Sequence, residues 1–201
     1  MPLAQLLRDP DAGIADIATL LDSLDADARW AEVNRLDRAQ QRALFGRADP
    51  VGLDLADLVP GVGSGIEVIH DGLNTLPMPP PLRRFSKRFC RPATAGVDHL
   101  YGYNEGPTRR LIGPGYFLAR LTDAGDPNHG LGPVMVDYAR VPSGTVAAGW
   151  PPVVPNTKGL QRFVFQGTSD YLRRVSEHVS VGAAVKDGKP LDHYFVLCRR
   201  P

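Results

Sequence analysis

The chain is poor in lysine, in cysteine, in long apolar runs and in net charge, and each shortage narrows what it can be. Lys87, Lys158, Lys186 and Lys189 are the only lysines among 23 basic residues; the rest are arginine. With abundant Ala, Gly and Pro, that bias fits a GC-rich bacterial genome. Two cysteines, Cys90 and Cys198, are too few for a disulfide-built secreted fold. Reduced thiols and a cytoplasmic location are therefore expected, with a single bridge as the alternative. No stretch approaches the roughly 20 apolar residues that a membrane helix needs. Leu3 to Leu7 is too short for a secretory apolar region, and Arg8, Asp9 and Asp11 interrupt it. The 23 basic residues face 22 acidic ones, a net charge of +1, which argues against a dedicated nucleic-acid binder but leaves room for a local basic patch.

Signature motifs are missing as well. Gly61-Val62-Gly63-Ser64-Gly65 has no lysine after it, so it is not a phosphate loop, and Ile66 and Glu67 break the dinucleotide spacing. No G-x-S-x-G elbow occurs. His70, His99, His129, His178 and His193 show no metal-ligand spacing, and neither a metal nor a cofactor is expected.

What is present is a change of periodicity along the chain. Residues 1–48 read as short helices, with Ile14, Ile17, Leu20, Leu21 and Leu24 at helical spacing. Asp25 is placed to cap a second helix, and Asp37 with Gln40 to form a capping box for a third. Such short helices must dock on something. Residues 49–65 read as a linker, its glycine-rich end flexible. Residues 66–201 read as a β-rich domain. The expected fold is α+β: a small N-terminal helical segment, then a curved, mostly antiparallel sheet or partly open β-barrel.

The clearest strand signal is C-terminal. Val179, Val181, Ala183 and Val185 alternate with smaller or polar residues, and Asp187-Gly188 follows as a hairpin turn. His193 to Cys198 is then apolar at nearly every position, as in a strand covered on both faces. A two-residue loop would set Gly182 opposite His193 and His178 opposite Leu197. Further strands are expected at 66–70, ending at Asp71-Gly72, and at 100–104, 109–121, 134–140 and 160–166. The 109–121 strand is broken at Gly113-Pro114-Gly115. Tyr171 to Val175 reads as a short helix, and residues 142–158, rich in proline, as an ordered cover over the sheet or a lid.

Prolines 79–81 can open a helix, and Leu82, Phe85 and Phe89 then share one face. A short basic helix over 81–89 follows, with Arg83, Arg84, Lys87 and Arg88 on its solvated side as a seat for an anionic surface.

Three functions fit these residues. The first is binding of a small anionic or amphipathic molecule beside the strand break, through Arg110, with Arg109 in reserve, and Tyr116, with Tyr101 and Tyr103 as aromatic wall. The second is catalysis, with His178 or His193 as general base and Asp137 as its orienting acid. The third is protein interaction through residues 1–48 and the basic helix. None requires a nucleic-acid partner or a transmembrane segment.

Overall fold

The computed structural model describes residues 1–94 and 96–201. Among these, the N-terminal part forms α1 (Leu3–Leu6), α2 (Ile14–Asp22), α3 (Ala26–Val33) and α4 (Arg38–Arg47), followed by the single turn α5 (Leu55–Leu58). Eight strands follow: β1 (Val68–Asn74), β2 (Arg84–Cys90), β3 (His99–Glu105), β4 (Phe117–Leu121), β5 (Val134–Asp137), β6 (Thr168–Arg174), β7 (Val179–Lys186) and β8 (Lys189–Arg199). Two further turns of helix, α6 (Arg109–Ile112) and α7 (Gln161–Phe165), precede β4 and β6. Each strand pairs antiparallel with the next, and β8 returns to β1 from His70↔Arg199 to Asn74↔Phe195. The sheet is thus a closed barrel, which leaves no free edge to attract another chain.

Closure separates two apolar cores. Inside the barrel, Phe89, Leu100, Phe117, Ala119, Val134, Val136, Leu172, Phe195 and Leu197 pack together. Outside it, Leu73, Val179, Val181, Ala183, Val196 and Cys198 pack under the N-terminal helices, against Leu3, Ile17, Leu21, Val33, Leu44 and Phe45. β8 is therefore covered on both faces, as its unbroken apolar run requires. Val179 and Val181 of β7 bury outward, under the helices, rather than into the barrel.

Local chemistry fixes the helices. Asp25 accepts a hydrogen bond from the Ala28 amide at 2.8 Å. Asp37 and Gln40 exchange bonds as a capping box. Arg29, only 6% exposed, donates to the carbonyls of Leu21 and Leu24 at 2.8 and 2.7 Å, satisfying acceptors that the end of α2 leaves open.

Three cross-strand pairs set a glycine opposite a phenylalanine inside the barrel: Gly72↔Phe85, Gly102↔Phe117 and Gly182↔Phe195. In each, the ring occupies the space a Cβ would need, at 2.6, 2.2 and 2.2 Å for the nearest ring carbon. The missing side chain lets the ring lie flat over the backbone, which suits a small, strongly curved barrel.

Several sequence expectations are corrected. The basic segment is not a helix over 81–89: prolines sustain only a 3-10 turn, Pro80–Arg83, and β2 begins at Arg84. Phe85 and Phe89 are four residues apart, a spacing that suits either period, and pairing with β1 and β3 selects the strand. Residues 109–121 are not one broken strand, because α6 and the Gly113–Gly115 corner precede β4. Residues 160–166 form α7 rather than a strand, and Tyr171–Val175 lies mostly in β6 rather than a helix. β1 continues through Asp71-Gly72 to Asn74.

The segment 49–65 is also more than a flexible connection. Leu53, Leu58 and Val59 are buried in the interior core, and the Gly65 amide donates to the Arg91 carbonyl at 2.9 Å. His70, inside β1, reaches the Leu58 carbonyl through Nε2 at 2.8 Å. This segment closes one end of the barrel.

The Asp187-Gly188 hairpin has the expected two-residue loop, with Lys186 opposite Lys189 and both turn residues at positive φ, 49° and 76°. The register further along differs from expectation. Three residues, Leu191–His193, stand opposite the single Ala184, so Gly182 faces Phe195 and Leu197 faces Ser180. That bulge keeps Leu191 and His193 on the barrel's inner side, beside Phe195.

Candidate functional site

The other end of the barrel is open. A cavity of about 490 Å³ enters between α6, α7 and the Pro80–Arg83 turn and runs inward along β2, β3, β6, β7 and β8. Its walls are largely aromatic and aliphatic, with Phe85, Phe165, Phe195, Ile112 and Leu191 prominent among them. The rim exposes large apolar side chains as well: Phe163 is 67% and Val164 42% exposed.

The floor is polar and built by period-two alternation. On β2, Phe85, Lys87 and Phe89 point inward together. Asn104 comes from β3, Tyr138 from the residue after β5 and Asp170 from β6. Lys87 is 1% exposed, and its ammonium group donates to Asp170 Oδ2 at 2.9 Å, Asn104 Oδ1 at 3.0 Å and Tyr138 OH at 2.5 Å. The Tyr138 hydroxyl donates to the same Asp170 oxygen at 3.0 Å. The Asn104 amide donates to the Gly115 carbonyl at 2.9 Å and to Tyr138 at 3.2 Å. Phe85, Phe117, Tyr138 and Phe195 surround the ammonium group, with ring centroids 5.0–5.8 Å away.

Electrostatics follow from this burial. Loss of water lowers the Lys87 amine from its ordinary range, and the adjacent Asp170 carboxylate opposes that shift. Burial beside Asp170 pushes the Tyr138 phenol well up, so it stays protonated and remains a donor. The floor carries one cation against one anion. The rim has Arg84, which donates to Asn34 at 3.0 Å, and Lys186, which donates to the Gln166 carbonyl. It also holds the Arg109–Glu105 pair, at 2.6 Å.

The residues singled out from the sequence divide around this cavity. His193 and Arg109 line it. Arg110 is exposed on α6 and Arg109 is the arginine that turns inward, the reverse of their expected order. Tyr101, Tyr103 and Tyr116 are not cavity walls. They face outward under the 142–158 connection, where Tyr103 packs against Tyr116 and Trp150 with centroids 5.5 and 4.9 Å apart. Tyr101 packs with Cys90 and Ala147, and the Tyr116 hydroxyl donates to the Pro151 carbonyl at 2.5 Å. The proline-rich connection is an ordered cover, but over the outer surface.

The expected His–Asp pair does not form. Asp137 lies on the outer side of β5, with Oδ2 3.4 Å from Arg140 and Oδ1 accepting the Ala139 amide. His178 sits beyond the start of β7, at the closed end, with Nδ1 3.0 Å from Arg199. The expected basic face is dispersed too. Arg83 donates to the Met78 carbonyl, Arg84 is at the mouth, Arg88 pairs with Glu67 on the outside at 2.8 Å, and Lys87 is inside. Both cysteines are free and buried, and burial pushes each thiol up to about 11, which leaves neither as a ready nucleophile.

Lys87, Asn104, Tyr138 and Asp170 are the residues that sequence reasoning missed as a group. One signal existed: Phe85-x-Lys87-x-Phe89 places the lysine on an aromatic face once the segment is read as a strand. The protein is thus an eight-stranded up-and-down barrel, closed at one end and hollow at the other, with an ion pair at the bottom of the hollow. No family model, curated protein or solved structure matches the chain.

Proposed function

We propose that the chain binds one small amphipathic molecule inside the barrel, apolar body against Phe85, Phe165 and Phe195, uncharged polar end on the floor. The observation that carries this reading is a cavity whose apolar walls end in a cluster of hydrogen-bonding groups. Barrels of eight strands have room for side chains or for one small ligand. The volume falls within the roughly 300–1,000 Å³ of ordinary ligand pockets. Because Asp170 already compensates Lys87, an anionic head group at the floor would meet the carboxylate as well as the ammonium group. A neutral oxygen function suits the floor better, while any acidic group belongs at the rim, near Arg84 and Lys186.

Native mass spectrometry of the purified protein, with solvent extraction of any bound species, is one test. The second uses 1-anilinonaphthalene-8-sulfonate, whose fluorescence rises in apolar surroundings. Wild type should bind it, and Ala184→Trp, which places an indole in the cavity, should not, at unchanged circular dichroism. Equal binding by the variant would remove the cavity as the site.

A further inference from the structure

We infer that Lys87 is an amine nucleophile, and that the cavity takes an apolar aldehyde or ketone and holds it as an imine. This deepens the ligand-binding reading and rests on it.

A lysine is an unusual choice for the floor of an apolar barrel. Desolvating an ammonium ion is costly, and an apolar side chain of similar length would avoid that cost. Lys87 is instead held at the blind end of a cavity lined by phenylalanines, with all three of its donors directed at named partners. Those partners are the groups that imine formation needs. A carbonyl compound is attacked by the neutral amine, so a base must first take a proton from nitrogen, and Asp170 Oδ2 stands 2.9 Å away. The carbonyl oxygen must then be protonated twice, and the Tyr138 hydroxyl, 2.5 Å from Nζ and 3.0 Å from Asp170, links the acid to the reacting atoms. Burial lowers the amine's proton affinity, in the direction that supplies the neutral form.

The step balances without any further reagent. Nζ attacks the carbonyl carbon, a C–N bond forms, and the carbonyl π bond opens to a hydroxyl. The C–O bond then breaks and water leaves through the mouth. Two of the three ammonium protons depart in that water, by way of Asp170 and Tyr138, and the third stays on the iminium nitrogen. The positive charge is conserved and still faces Asp170, so the ion pair of the free protein becomes the ion pair of the adduct. The aromatic wall around Nζ suits a cation in either state.

The experiment uses cinnamaldehyde as probe and sodium cyanoborohydride to fix any imine as a secondary amine, followed by peptide mass mapping. Both wild type and a Lys158→Arg, Lys189→Arg variant are treated. The double variant leaves the cavity intact and removes the two lysines that lie outside its lining. The expected result is one adduct on Lys87 in both proteins, lost in Ala184→Trp. Folded protein labelled only at the N-terminal amine or at surface lysines would overturn the proposal. So would labelling of Lys87 that Ala184→Trp leaves unchanged. If the protein binds 1-anilinonaphthalene-8-sulfonate in the cavity yet Lys87 stays unlabelled, the imine falls and the ligand-binding reading stands. If neither probe is taken up, both fall.

Discussion

Gly182 of β7 faces Phe195 of β8, and the phenyl ring fills the space where a side chain on residue 182 would begin, its Cζ 2.2 Å from that point. The same ring also forms a wall of the cavity and lies beside the Lys87 ammonium. Gly182→Ala should therefore push the ring off the glycine and cost about 1–3 kcal/mol, as overpacking of a filled interior does. Urea unfolding of the variant measures it, and a change within a few tenths of a kcal/mol would contradict the arrangement.

Lys87 and Asp170 should behave as a unit. Removing one partner strands a buried charge, and Lys87→Met or Asp170→Leu alone should cost about 3–5 kcal/mol. The double variant replaces the pair with apolar side chains in an apolar barrel and should recover most of that loss. A double-mutant cycle by chemical denaturation checks this. Additive losses would mean that the two groups do not depend on each other.

His70 links stability to pH. Its Nε2 faces the Leu58 carbonyl, and its Nδ1 is buried without a partner among the described residues. Burial lowers its pKa from 6.5 to about 4. Between those values the unfolded chain binds a proton that the folded chain does not. Its contribution to stability is therefore complete above about pH 6.5 and declines as pH falls to about 4. The loss across that window is roughly 3 kcal/mol. His70→Gln, which keeps a side-chain amide donor but does not titrate, should show a flatter stability profile over that range. Parallel profiles would refute the linkage.

Two glycines should respond to alanine in opposite directions. Gly46 is exposed inside α4, with open space where a Cβ would stand, so Gly46→Ala should stabilise by about 0.5–1 kcal/mol. Gly188 also has open space, but its φ is 76°, so Gly188→Ala should destabilise by about 1 kcal/mol through backbone strain alone. Melting temperatures of the two variants should move apart; shifts in the same direction would mean that the backbone at one of the two glycines is placed wrongly.

How much of this was legible differs from element to element. Asp25, the Asp37–Gln40 box and the Asp187-Gly188 turn act within a few residues of themselves, and the sequence specifies them completely. β8 was legible for a related reason: an unbroken apolar run must be covered on both sides. The floor of the cavity was not. Phe85 and Phe89 suit a helix or a strand, and their spacing does not say whether Lys87 sits with them or on the opposite, solvated side.

The sequence by itself determined a helical N-terminal part, an antiparallel β part and the hairpin near the C-terminus, because periodicity and turn chemistry are local properties. Only the tertiary structure decided that the sheet closes and that Tyr101, Tyr103 and Tyr116 face out. It alone brings Lys87 of β2, Asn104 of β3, Tyr138 just after β5 and Asp170 of β6 to one point. Closure depends on β8 meeting β1, some 120 residues apart along the chain (Asn74↔Phe195). In a strand, a side chain's inward or outward direction is fixed by pairing register, and a one-residue shift reverses it. No local pattern carries that information, so the barrel's inside became visible only once its strands had been paired.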